Sequence, residues 1–251
     1  MNIRPVEIFP ITGIGEVLSG MDLAQVVLSA SDSMGGLRDG DILVVTSKIV
    51  SKAEGRAVEL SSVIPSPFAK SWADQWDKDP AVVEIVLQES KRIVRQAGPV
   101  LITETHHGFI CANSGVDQTS TGALGRALLL PIDPDASAKR IRDELGEHGL
   151  DIGVIISDTF GRPWREGQTD IAIGIAGFQP VTSYIGQQDP HGYEFRVQAL
   201  CVADELAGAA ELVKGNTSRI PISVIRGFEW VRDEEATIQS IIRPPEKDLF
   251  R

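Results

Sequence analysis

Asp158, Thr159, Arg162 and Arg165 lie close together, directly after the apolar run Gly153-Val154-Ile155-Ile156. A carboxylate, a hydroxyl and two guanidinium groups at the end of a buried strand suit the binding of a metal-held phosphate. Asp117 sits in a second polar stretch, Ala112-Asn113-Ser114-Gly115-Val116-Asp117-Gln118. Mg²⁺ and Mn²⁺ take one or two carboxylates, a hydroxyl, water and substrate phosphate, so Asp117, Asp158 and Thr159 form a candidate ligand set. The competing reading is that both aspartates only satisfy the backbone of their own turns. A third polar stretch, Thr46 to Gly55, follows the apolar run Ile42-Leu43-Val44-Val45. Spacing of four places Ser47 with Ser51, and Lys48 with Lys52, on common faces of a helical turn. That pattern reads either as a phosphate clamp or as a solvated lysine face.

Other chemistry is excluded. Gly13-Ile14-Gly15 is no dinucleotide fingerprint, because the third glycine position falls at Leu18, and no Walker A sequence occurs. Those glycines are loop punctuation or a backbone cradle for phosphate. His106 and His107 are adjacent and would face opposite ways in a strand, His148 closes a helix, and His191 lies in a turn, so zinc has no ligand cluster. No G-x-S-x-G elbow supports an acyl-enzyme. Cys111 and Cys201 lack metal or redox spacing and read as small buried hydrophobes in a reducing, cytoplasmic setting. The net charge of −11 argues against a nucleic-acid or membrane-surface binder, and no apolar run is long enough to span a bilayer.

The elements that must hold these residues alternate irregularly. Strands are expected at Val6–Phe9, 41–45, Val100–Ile102, Phe109–Cys111, Gly153–Ile156, Ile171–Ile173 and Ile222–Ile225. Asp22 is read as the N-cap of a helix through Leu28, and Asp79-Pro80 as the start of a helix closed by Gly98-Pro99. That second helix carries Val82, Ile85, Val86 and Ile93 as its apolar stripe. Further helices are expected over Ala136–His148 and Val197–Val213. Several strand pairs are close enough for hairpins, so the chain is read as α+β with mixed, largely antiparallel sheets. No linker or repeat divides it, and residues 1–251 are read as one domain, with two interleaved lobes as the other arrangement the length allows.

Taken in order, these segments resemble the F420-0:γ-glutamyl ligase family. The resemblance rests on Val-Glu-Ile-Phe-Pro near the N-terminus, Ser51-Lys52-Ala53-Glu54-Gly55, and Cys111 through Asp117. It continues in Asp158-Thr159-Phe160-Gly161-Arg162-Pro163-Trp164-Arg165, Ala172-Ile173-Gly174 and Cys201-Val202-Ala203-Asp204-Glu205. It implies an intertwined homodimer and a GTP-dependent amide ligase using two divalent ions, Mg²⁺ or Mn²⁺, with K⁺. The implied substrates are GTP, L-glutamate and coenzyme F420-0, joined through an acyl phosphate. Asp117 and Asp158 would be metal ligands and, with Lys52, the catalytic residues, and Thr159 a ligand of the second ion. Ile14, Gly15, Glu16 and Val17 would line the nucleotide, with Ser47, Lys52, Ser120, Gly215 and Asn216 contacting it or its phosphates. Arg162 and Arg165 are read as anion contacts. The chain departs from the family where relatives often carry Asn at the place of Ser120. It also lacks the acidic residue that relatives can carry near Asn216. No flavin-binding domain is expected after the ligase domain. A metal-dependent hydrolase and a non-catalytic nucleotide-binding module are the alternative classes.

Overall fold

The computed structural model describes residues 5–119 and 121–249. The N-terminal half runs β1 (Glu7–Ile11), α1 (Leu23–Ser31), β2 (Ile42–Thr46), α2 (Ser47–Ala53), β3 (Ala57–Glu59), α3 (Pro67–Trp76) and α4 (Pro80–Gln88). It continues through β4 (Ser90–Ala97), β5 (Val100–Thr105), β6 (Ile110–Ala112) and β7 (Arg126–Leu128). The C-terminal half holds α5 (Pro134–Glu147), β8 (Gly153–Arg162), β9 (Arg165–Phe178), β10 (Val181–Ser183), β11 (Ala199–Cys201), α6 (Val202–Lys214), β12 (Ile222–Arg226) and β13 (Arg232–Asp233). The fold is α+β, as the alternation of elements implies.

A six-stranded sheet in the order β1-β12-β2-β8-β9-β13 carries the main core. Its β2–β8 pair is parallel and its other pairs are antiparallel. β2 and the first half of β8, Gly153–Ile156, are apolar and buried on both faces, which is why these stretches run unbroken rather than alternating. Helices α5 and α6 both pack on β8 and β9, and α1 packs on α5. A smaller apolar cluster joins α3 and α4 to Leu101 of β5, beside the three-stranded sheet β4-β5-β6.

Helix starts follow the expected caps. Asp22 accepts the Gln25 amide, Asp79 accepts that of Ala81, and Pro80 occupies the first turn. Four boundaries differ markedly from expectation, one of them that of β9, expected over Ile171–Ile173 and found over Arg165–Phe178. The helix after Asp79 stops at Gln88, and Ile93 belongs to β4, where it pairs across to Thr103. β4 is a mostly exposed edge strand rather than a helical stripe, and Ser90 turns back to bond the Val86 carbonyl. The late helix begins at Val202, not Val197, because Ala199–Cys201 pairs with β10. Finally, Asp158 does not end its strand. β8 runs on to Arg162, zipped to β9, and turns at Pro163–Trp164. Trp164 takes a left-handed φ of 60° there.

Candidate active site

The parallel pair creates the site. The last β2–β8 partners are Thr46 and Ser157; beyond them β2 gives way to α2, while β8 continues with β9 alone. The freed edge of β8 from Asp158 onward therefore faces the first turn of α2. There Ser47 donates a hydrogen bond to Asp158 Oδ1 at 2.7 Å. A bulge at Ile173 of β9, opposite Ile156–Ser157, shifts the register just before these residues. The Ala172 amide beside that bulge donates to Asp204 of α6 at 2.9 Å. At Gly174 an added Cβ would come within 2.5 Å of the Pro134 backbone, so α5 can seat on β9 only over a glycine. Two of the segments that carry the family resemblance, Ala172–Gly174 and Cys201–Glu205, thus brace the strand that presents Asp158.

Two clefts meet on this edge. The first, of about 530 Å³, is lined by Ser47, Ser51, Cys111, Asp117 and Phe160 among others. The second, of about 480 Å³, is lined by Ile14, Gly15, Glu16, Val17, Lys52, Gly215 and Asn216, with Asp170 and Lys214. Lys48, Asp158, Thr159 and Asn216 line both, and so form a common wall. The sequence-expected residues therefore fall into two groups, Ser47 with Asp117 and the nucleotide set with Lys52, joined at Asp158 and Thr159. The helical spacing in α2 has the anticipated effect: its serines face the first cleft, and Lys52 faces the second. Ser120 lies outside the described residues. Arg162 and Arg165 flank the β8–β9 turn and line neither cleft; Arg162 Nη2 instead donates to the Glu166 carbonyl at 3.0 Å.

Charge is tightly organised. Lys48 Nζ is 2.6 Å from Asp117 Oδ2. Burial pushes the Asp117 carboxyl up, but Lys48 and the Thr119 amide and hydroxyl outweigh it and hold it below its ordinary value. Asp158 goes the other way. Burial drives it up to about 6; Ser47 and the charge of Lys48 oppose the rise, and the nearby Asp170 adds to it. Lys52 is held by Glu16 at 2.5 Å, on the rim of the second cleft. Cys111 is buried against the same edge, its thiol pushed up to about 12 by desolvation and then by Asp158. It is an inert wall residue, and both cysteines are free thiols.

One cluster was not anticipated. Asp170, directly opposite Thr159 in the β8–β9 register, accepts its hydroxyl at 2.7 Å through Oδ1. Oδ2 accepts Ser157 at 2.9 Å and Lys214 Nζ at 2.7 Å. Burial raises the Asp170 carboxyl, yet Lys214 and the two hydroxyls prevail and hold it low.

Asp117, Asp158 and Thr159 offer oxygen only, the donor type that hard divalent ions accept. No three His, Cys, Asp or Glu side chains converge as a cage among the described residues. The residues fit an ion carried largely by water and substrate phosphate.

Residues 13–227 match the family model described as F420-0:Gamma-glutamyl ligase. The Coenzyme F420:L-glutamate ligase of Methanothermobacter thermautotrophicus is 42% identical over 255 residues, spanning 100% of this chain and 99% of that protein. The protein of the same name from Methanopyrus kandleri is 40% identical over 259 residues, with 100% and 99% covered. That from Methanocaldococcus jannaschii is 40% identical over 229 residues, covering 90% and 91%.

Proposed function

The chain belongs to the F420-0:γ-glutamyl ligase family, and from that premise we propose that it joins L-glutamate to coenzyme F420-0 at the expense of GTP. The observation that carries the reading is the shared wall between the two clefts. GTP would occupy the second cleft, along Ile14–Val17, Lys52 and Gly215–Asn216. The acceptor carboxylate would enter from the first, beside Ser47 and Asp117. The γ-phosphoryl group and the carboxylate then meet at Asp158 and Thr159.

A carboxylate oxygen attacks the γ-phosphorus, and GDP departs. The resulting acyl phosphate has the leaving group that a free carboxylate lacks. The glutamate amine attacks its carbonyl, loses a proton, and phosphate leaves with the original carboxylate oxygen. Later cycles would use the γ-carboxylate of the glutamate already added. The protein's part is positioning and electrostatics. Asp117, Asp158 and Thr159 would hold Mg²⁺ or Mn²⁺, which neutralises charge on the transferring phosphoryl group. Lys52 would exchange Glu16 for phosphate, and Lys48 places a cation on the shared wall.

The same reading includes a homodimer. From Val181 to Cys201 the chain forms a two-stranded arm, zipped by Tyr184 to Gln198 and Gly186 to Phe195. Ile185, Tyr193 and Val197 on it are exposed. An isolated hairpin is marginal in water, so cover from a second copy would stabilise it.

Mass spectrometry after incubation with F420-0, GTP, Mn²⁺ and L-glutamate tests the activity. A glutamate-sized gain is expected, and folded Asp117→Ala and Asp158→Ala variants should lose it. Undiminished ligation by both variants would remove the metal assignment. GTP turnover that needs neither acceptor nor glutamate would make the protein a hydrolase, and nucleotide binding without turnover would make it a binding module.

A further inference from the structure

We propose that the buried Asp170–Lys214 pair is a positioning unit that turns the Thr159 oxygen, lone pairs first, toward the shared wall of the two clefts. A threonine hydroxyl has one proton and two lone pairs. Here the proton is committed to Asp170 Oδ1 at 2.7 Å, so the oxygen faces the junction only as a donor of electron pairs. Ser47 is set in the same way by Asp158. Asp170 in turn is fixed by three donors: Thr159, Ser157 and Lys214. Lys214 is the last residue of α6, and its side chain is only 3% exposed. The pair therefore also anchors the residue from which the Gly215–Asn216 loop departs along the nucleotide cleft.

A stability device does not explain this arrangement. Buried ion pairs are commonly neutral or unfavourable beside apolar residues of the same size. This one instead binds two hydroxyls, that of buried Ser157, which lines neither cleft, and that of Thr159, which lies on the shared wall. Both residues border the nucleotide cleft, and in the ligase reading, on which the inference rests, their effect on the ion runs through Thr159.

Two charge-free double variants separate the roles. Asp170→Asn/Lys214→Met keeps an amide oxygen for the Thr159 proton, whereas Asp170→Leu/Lys214→Met offers none. Removing both charges together avoids stranding a lone buried ion. The readout is Mn²⁺ binding to the protein alone, followed by electron paramagnetic resonance of the free ion, with circular dichroism to confirm folding. The leucine variant should bind Mn²⁺ about 10- to 100-fold more weakly, the usual cost of losing a ligand's hydrogen-bond partner. Its half-saturating Mn²⁺ for ligation should rise in parallel. The asparagine variant should remain close to wild type. Thr159→Val should reproduce the loss and add nothing further in the leucine background. Equal Mn²⁺ affinity in the two double variants would overturn the proposal: equal to wild type means that the pair is structural, and equally weakened means that the Asp170 charge acts directly. Wild-type protein that binds neither Mn²⁺ nor GTP would instead remove the ligase reading, before any variant is compared.

Discussion

Asp158 shows what a single side chain in this protein is asked to do. Its carboxyl lies at a desolvated edge near another carboxylate, Asp170, and burial is the main reason that it is pushed up to about 6. The metal-free fold is less stable for carrying that charge at neutral pH. Asp158→Asn should therefore raise the melting temperature of metal-free protein by about 2–4 °C, the shift for about 1 kcal/mol in a chain this long. Millimolar Mn²⁺ should raise the wild-type melting temperature by mass action and leave the variant's unchanged. Scanning calorimetry with and without the ion decides both. Asp117, Asp158, Ser47 and Lys52 were legible in the sequence because each follows an apolar run in a stretch crowded with small polar residues. Asp170 and Lys214 were not. Arg165-Glu166-Gly167-Gln168-Thr169-Asp170 reads as solvated hairpin, and Lys214 as an ordinary basic residue at a helix C-terminus. Only the cross-strand register and the seat of α6 bring the two into contact.

At the level of elements, the decisive fit is that of α5 on β9. Gly174 leaves no room for a side chain against Pro134. Gly174→Ala should destabilise the protein by about 1–3 kcal/mol through overpacking, read as a lowered urea midpoint. Because the bulge at Ile173 adjoins Ser157 and Asp158, ligation by the folded variant should fall as well. Caps and apolar periodicity predicted where most elements lie, since both are local. They failed where pairing partners decide. Ser90–Ala97 could have continued a helix, but β5 claims it as a strand, and Ala199–Cys201 is claimed by β10. The length of β8 was hidden for the same reason: Asp158 to Arg162 carries turn-like residues, and only β9 makes a strand of them.

For the molecule as a whole, two properties follow from exposed and paired surface. No described helix is long and apolar enough to cross a membrane, and the apolar surface of interest lies instead on the 181–201 arm. If that arm is covered by a second copy, light scattering should give about twice the chain mass, and Val197→Asp should shift it toward the monomer by placing charge in the interface. A chain that scatters as a monomer before mutation would discard the dimer. Acid stability depends on pairs such as Glu104 with Lys91 and Arg92. Burial raises the Glu104 carboxyl, but the two cations prevail and hold it below the usual range. A depressed carboxylate stabilises the fold above its unfolded-state value, and that contribution is lost as pH falls through the folded value. The melting temperature should thus decline below about pH 4, and Glu104→Gln should flatten the decline; added salt should weaken the effect, because Lys91 and Arg92 are largely exposed. The wall that the two clefts share has a kinetic meaning too. On the proposed ligase mechanism, an activated carboxyl formed there would already be at the place where it is consumed, with no journey through water in which to be wasted. If GTP drives the reaction as proposed, nucleotide spent and peptide-like bonds made should keep step, one for one, even when the amino acid is scarce.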